Sequence, residues 1–171
     1  VVTGHLARFY EALPGVICVP NPRYRESGSL YSLACARDLL DGPFLLLESD
    51  LLYEQRALET VLEDPRPDVV LLSGPTGAGD EVWVETDLVG NLVAMAKDRS
   101  RLGPGVRGEL VGISRISAEL YRCLVARADL AGDYETDGLV GCARERPIHC
   151  PLVPDLVWAE IDDEAHRQRA E

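Results

Sequence analysis

Apolar positions along this 171-residue chain follow two spacings in turn. Leu6, Phe9, Tyr10 and Leu13 fall at i, i+3, i+4 and i+7, so residues 4–13 read as an amphipathic helix ended by Pro14-Gly15, with a short apolar strand over 16–19. Asn21 to Ser29 is a polar loop. Leu30, Leu33, Ala34, Arg37 and Leu40 then resume helical spacing until Asp41-Gly42-Pro43 breaks it. Phe44-Leu45-Leu46-Leu47 is too short and too continuous for a helix and predicts a buried central strand. Gln55 to Leu62 reads as a helix and Asp68 to Leu72 as a second buried strand. This alternation predicts a sheet covered by helices.

From Glu81 the period shifts. Val82 to Thr86 and Leu92 to Ala96 flank Asp87-Leu88-Val89-Gly90-Asn91, which predicts an antiparallel hairpin with Gly90-Asn91 at its turn and makes the sheet mixed. Glu109 to Ile116 is a further strand, and Ser117 a candidate N-cap for a helix to Ala128. Asp137 to Arg144 reads as helical, Ile148 to Leu152 and Leu156 to Ile161 as extended, and Asp162-Asp163 opens a final helix. No repeat or flexible linker interrupts the pattern, so one domain is expected.

Composition narrows the function. Lys plus Arg number 17 against 29 Asp plus Glu, a net charge of −12, which disfavours neutralising nucleic-acid phosphates or lying on an anionic membrane. With 46% hydrophobic and 27% charged residues the chain has apolar side chain enough for a core, and disorder is excluded. No apolar run approaches the roughly 20 residues of a membrane helix. Five scattered cysteines without a Cys-x-x-Cys spacing suggest neither a disulfide framework nor a zinc site, and point to a reducing cytoplasm.

Ligands of open α/β sheets bind beyond the carboxyl ends of strands, where Glu48-Ser49-Asp50 stands directly after the Phe44–Leu47 run. Hard carboxylate oxygens there suit Mg²⁺; a strand leaving the core for a polar loop explains the same residues. Trp158-Ala159-Glu160-Ile161-Asp162-Asp163 offers a second carboxylate, although Asp162 or Asp163 also suits a helix cap. Lys97 is the only lysine, a compact charge fitted to a phosphate oxygen or simply a solvated surface residue. Gly74-Pro75-Thr76-Gly77-Ala78-Gly79 lacks phosphate-loop spacing and reads as a mobile loop over a pocket. Tyr134-Glu135-Thr136-Asp137 could hold a cationic group or favour a helix dipole. His5, His149 and His166 show no metal spacing and receive no role.

Taken in order, these features resemble the small-molecule nucleotidyltransferases of the phosphocholine and phosphonate cytidylyltransferase type, over essentially the whole chain. Val1-Val2-Thr3-Gly4 looks like that family's strand and turn after its first helix, and Asn21-Pro22-Arg23-Tyr24 with Tyr31-Ser32-Leu33 like its nucleotide-side segment. Glu48-Ser49-Asp50 matches the strand-end metal aspartate, Lys97 the lysine that meets the acceptor phosphate, Gly108-Glu109-Leu110-Val111-Gly112 the following core strand, and Trp158 to Asp162 the second metal segment.

The resemblance implies a three-layer α/β/α sandwich with a mixed, mostly parallel central sheet, of the nucleotidyltransferase or GT-A-like Rossmann type. It implies Mg²⁺ held by Asp50 and Asp162, an acceptor phosphate or phosphonate on Lys97, and Ser27, Gly28, Ser29 and Ser32 on the nucleotide. Glu135, Asp137, Tyr134 and Trp158 would face the acceptor's other end. The implied reaction is attack of an acceptor oxygen on the α-phosphorus of CTP with release of pyrophosphate. Ser27-Gly28-Ser29 stands where phosphocholine-type members carry Asn, and the 48–53 and 77–82 stretches look closer to the 2-aminoethylphosphonate enzymes. A phosphocholine cytidylyltransferase, a GT-A glycosyltransferase using Glu48-Ser49-Asp50 as its metal motif, and a non-catalytic nucleotide-binding domain are the rival readings. The family's first strand, glycine-rich loop and following lysine have no counterpart here, so the chain is expected to be a fragment and inactive alone. The implied partners are CTP and a small phosphonate or phosphate-monoester acceptor, with no nucleic acid and no membrane; a homodimer is left open.

Overall fold

The computed structural model describes residues 1–128 and 134–170. In chain order the elements are β1 (Val2–Thr3), α1 (Arg8–Glu11), β2 (Val19–Pro20), α2 (Ser29–Cys35), β3 (Phe44–Leu47), β4 (Leu51–Tyr53), α3 (Arg56–Glu63), β5 (Val69–Ser73), β6 (Trp83–Thr86), β7 (Leu92–Ala96), β8 (Val106–Ile116), α4 (Ala118–Val125), α5 (Glu135–Ala143), β9 (Leu152–Val153), β10 (Trp158–Glu160) and α6 (Glu164–Ala170). They form two compact units, one of residues 1–42 and 118–142 and the other of 43–117 and 143–171. No described helix is long and apolar enough to cross a membrane.

The first unit holds the parallel pair β1–β2, in which Val2 faces Val19 and Thr3 faces Pro20. Its helical part buries Leu30, Leu33, Leu120, Leu124 and Leu139, and the Tyr121 hydroxyl reaches the core by donating to the Leu33 carbonyl at 2.9 Å. The helix expected over 4–13 shrinks to the four residues of α1, none of them buried. Leu6 takes a left-handed φ of 54°, which breaks the helix where its apolar stripe would begin. Phe9 and Leu13 stay more than half exposed. The helix expected to run through Leu40 ends at Cys35 in turns.

The second unit is built on β8, which pairs antiparallel with β5 along one side and with β6 and β3 along the other. β7 extends β6, β9 runs parallel to β5, and β10 forms a separate antiparallel pair with β4. The sheet is mixed, as the hairpin predicts. Its ladders are mostly antiparallel, however, where mostly parallel pairing was expected, because β8 returns between β3 and β5 instead of joining the sheet in their direction. β3 occupies the predicted residues but has only β8 as partner among the described residues, and its side chains are half-buried or exposed. The hairpin forms as expected: Asp87 accepts the Val89 and Asn91 amides at 3.0 and 2.7 Å, and Gly90 supplies the positive φ of 85°.

The densest part of the core lies where α3 crosses this sheet. Ala57 and Val61, one turn apart on α3, bury against Val69 and Leu71 of β5 and Val111 and Ile113 of β8. Every residue of β5 is buried, as a continuous apolar run between sheet neighbours requires. The buried carboxylate of Asp68 accepts the Ser117 amide on Oδ1 at 2.8 Å and forms an ion pair through Oδ2 with Arg146 at 2.9 Å, which fixes the end of β8. Leu71→Ala should lower unfolding stability by about 2–5 kcal/mol, read as an earlier urea midpoint with retained secondary structure.

Candidate functional site

The second unit gathers carboxylates at the carboxyl end of β3. Glu48 directly follows β3, and Ser49 and Asp50 form the turn that leads into β4. The antiparallel β4–β10 ladder sets Glu160 opposite Leu51, and the Ile161 amide donates to the Asp50 carbonyl at 2.8 Å. Glu48, Asp50 and Glu160 each thereby offer an oxygen within 4.8 Å of the others. Gly112, in β8, makes room: its φ is +81°, and a Cβ there would lie 2.8 Å from the Glu48 carboxyl, whose own amide donates to the Gly112 carbonyl at 3.0 Å.

Two observations suit this cluster to a hard divalent cation. Asp50 Oδ1 is buried without a hydrogen-bond partner, which is costly unless something cationic meets it. The carboxyl of Glu160 is held above the usual carboxylate range by its burial and by the charges of Asp162, Asp50 and Asp80, against which Lys97 acts in the opposite direction. Negative charge is crowded here, with Lys97 as its counterweight.

A second set, Asp80, Asp162 and His166, lies in the same unit with ligand atoms within 4.8 Å of one another. Asp163 accepts the His166 amide at 2.8 Å and so caps α6, which settles the role that either aspartate could have filled and leaves Asp162 outside the cap. His166, given no role from sequence, places Nε2 4.0 Å from Asp80 and accepts the Asp162 amide on Nδ1 at 3.4 Å. Asp80 follows the glycine-rich loop, which is anchored. Thr76 donates its amide and hydroxyl to Glu109 at 2.7 and 3.0 Å, and Gly77 and Gly79 take φ of +74° and +100°.

The aromatic candidates of this unit are engaged elsewhere. Trp158 packs against the α3 core and donates its indole N–H to Ser73 at 2.8 Å. Trp83, which sequence reasoning passed over, carries the Arg99 guanidinium 4.8 Å above its ring.

The remaining candidates belong to the first unit. Asn21 is buried and uses its whole side chain there: it donates to Ser27 and Ser32 at 3.0 and 2.9 Å and accepts the Arg23 amide at 2.8 Å. Ser27 and Ser32 are thus held together, with Gly28 and Ser29 leading into α2. Ser29 also meets Glu135, donating its hydroxyl to the carboxylate and accepting the Glu135 amide at 3.1 Å. Tyr134 and Asp137 are exposed beside it. Cys123 and Cys142 form a disulfide, against the expectation that no cysteines pair. Two helices brought side by side can join sulfurs 19 positions apart without any motif. Cys18, Cys35 and Cys150 remain free, and burial pushes the Cys150 thiol up to about 12.

Sequence reasoning singled out the Glu48-Ser49-Asp50 cluster, Asp162 and Lys97 but assigned no ligand role to Glu160, Asp80 or Glu109. The signal for Glu160 was present in the two-residue spacing it shares with Asp162, the same spacing as Glu48 and Asp50. Glu109 gave none, being a single acid within a strand.

No protein-family model matches the chain. It is 29% identical over 192 aligned residues to the CMP-5'-(3-aminopropyl)phosphonate synthase of Streptomyces rubellomurinus, covering 100% of this chain and 30% of that protein. The chain thus spans about a third of the length of that relative. Among solved structures it superimposes on the inositol-1-phosphate CTP transferase of T. maritima with a TM-score of 0.77 at 17% identity, over 96% of this chain and 70% of that one. The CTP:phosphocholine cytidylyltransferase of Streptococcus pneumoniae gives 0.73 at 14% identity, over 98% and 74%.

Burial first, and then the Glu81 and Asp80 charges, raise the Glu109 carboxyl against its hydrogen bonds from Thr76. A pKa higher in the folded than in the unfolded chain adds stability that is full below the unfolded value and is lost as pH rises through the folded one. The stability of the parent relative to Glu109→Gln should therefore fall from the acid range toward neutrality, measured as the difference in urea midpoints across pH. The chain has the fold of these nucleotidyltransferases, and is similar in sequence to a CMP-aminoalkylphosphonate synthase and in structure to solved cytidylyltransferases.

Proposed function

We propose that the chain belongs to a cytidylyltransferase that transfers CMP from CTP to an ω-aminoalkylphosphonate and releases pyrophosphate. The observation that carries this reading is the meeting of Glu48, Asp50 and Glu160 at a strand end, with a buried, unpartnered oxygen on Asp50. The Streptomyces relative supports the acceptor class, since its name specifies a CMP-aminopropylphosphonate product.

The all-oxygen donor set fits Mg²⁺. Asp50 and Glu160, with Glu48 beside them, would hold it, and Asp162 is the further carboxylate that the resemblance assigns to it. Bound there, the ion would supply charge neutralisation at the phosphates. Lys97 holds the acceptor phosphonate, whose attacking oxygen is already ionised, so the chain needs to position and neutralise rather than remove a proton. The absence of a nucleophile motif agrees with that chemistry.

Two features favour a primary ammonium over a trimethylammonium on the acceptor. Asp80 and Asp162 add negative charge beside the three converging carboxylates, and a substrate that brings a cation relieves it. Trp83 and Trp158, whose open faces would suit a methylated cation, are engaged by Arg99 and by the core. On the resemblance alone, Glu135 and Asp137 with Tyr134 are proposed for the acceptor's other end, and Ser27, Gly28, Ser29 and Ser32 for the nucleotide. A two-carbon acceptor, 2-aminoethylphosphonate, is the first choice from the sequence stretches, and a three-carbon acceptor is the choice of the relative.

The assay uses the complete gene product that contains this chain, with CTP, Mg²⁺ and either aminoalkylphosphonate or phosphocholine, and reads pyrophosphate. Release is expected with an aminoalkylphosphonate. Asp50→Ala and Lys97→Ala should each lower kcat/KM by roughly 10²–10³-fold with an unchanged thermal midpoint. No release with any acceptor overturns the reading, and thermal stabilisation by UDP-sugars with Mn²⁺ but not by CTP would replace it with a glycosyltransferase.

A further inference from the structure

Helix α5 is secured at both ends within the first unit. At its start, Ser29 and Glu135 exchange hydrogen bonds. Along its length it lies close against its neighbours: a Cβ at Gly138 would come within 2.9 Å of Leu30 and Leu124, and one at Gly141 within 2.9 Å of Arg127. Near its end, Cys142 is bonded to Cys123 of α4, with Cα atoms 6.1 Å apart, inside the range that such bridges span.

The two sulfurs differ in surroundings. Cys142 is fully buried, whereas Cys123 is half-buried. Arg127, one turn beyond Cys123, places Nη1 3.0 Å from its sulfur and 3.0 Å from its carbonyl oxygen. A guanidinium at that distance favours the thiolate of a reduced Cys123 and so makes it a good leaving group in thiol–disulfide exchange.

We propose that Cys123–Cys142 is a reversible redox latch on α5, opened by a dithiol reductant. One thiolate of the reductant attacks the sulfur of Cys123, the half-buried member of the pair; the Cys123–Cys142 bond breaks, and Cys142 leaves as a thiolate that takes up a proton. The second thiol of the reductant then attacks the reductant sulfur of the mixed disulfide and expels the Cys123 thiolate beside Arg127. The protein gains two electrons and, on Cys142, one proton; the reductant becomes a disulfide and gives its other proton to solvent. Opening removes the covalent anchor of α5 and leaves Ser29–Glu135 to hold its start. Resting on the proposed assignment of Ser29 to the nucleotide, the open form binds CTP more weakly.

The test begins with the complete gene product purified without reductant, with alkylation under denaturing conditions and mass mapping of this segment. Three of its five cysteines, Cys18, Cys35 and Cys150, should be modified before treatment with dithiothreitol and all five after it. Reduction should lower the thermal midpoint by several degrees, reoxidation should restore it, and Cys123→Ser should match the reduced protein and ignore reductant. The KM for CTP should rise severalfold on reduction with kcat less affected. Five modified cysteines even after oxidised glutathione, or a midpoint that reduction does not move, overturns the latch. A moving midpoint with a constant KM reduces it to a static staple and overturns the regulatory claim. A protein inactive in both redox states overturns the cytidylyltransferase reading instead, while alkylation and midpoint still decide whether the latch exists.

Discussion

Strand β8 is the constraint on which the second unit depends. Over eleven residues it satisfies β5 along one side and β6 and β3 along the other, so an error in its register would unpair three strands at once. The same strand also serves the chemistry. Gly112 bends with a positive φ to admit the Glu48 carboxyl, and Glu109, three residues earlier, holds the loop that leads to Asp80. Folding the sheet and aiming the carboxylates are one event here.

Charge sets the second condition. Burying Asp50 and Glu160 among other acids is unfavourable in itself, and the β4–β10 ladder, extended by the bond from the Ile161 amide to the Asp50 carbonyl, keeps the two together. A cation arriving there would relieve that repulsion. The net charge of −12, which disfavours nucleic acid as a partner, is concentrated in part at these carboxylates.

The first unit solves a different problem. Its polar loop is organised by one buried side chain, Asn21, which spends every donor and acceptor on Ser27, Ser32 and Arg23. Its helices add a covalent bond between α4 and α5. A fully satisfied buried amide gives order at small net energetic gain but a large penalty for loss, whereas a disulfide restricts the unfolded chain.

Much of the fold was legible in the sequence. Phe44–Leu47, the Val69–Leu72 run and the hairpin around Gly90-Asn91 announced themselves by continuous apolarity, alternation and turn chemistry, and Glu48 and Asp50 could be placed at a strand end from neighbouring residues alone. The stripe Leu6, Phe9, Tyr10 and Leu13 shows the limit: the spacing is helical, but Leu6 adopts a left-handed backbone and the helix holds four residues. The antiparallel return of β8, the joining of Glu160 to Glu48 and Asp50, the Thr76–Glu109 anchor and the Cys123–Cys142 bond were decided only by the tertiary structure. Periodicity reports which side chains seek burial, because that is a property of each residue and its near neighbours. Which distant segment supplies the partner depends on strand register and chain reversal, and no local pattern encodes those.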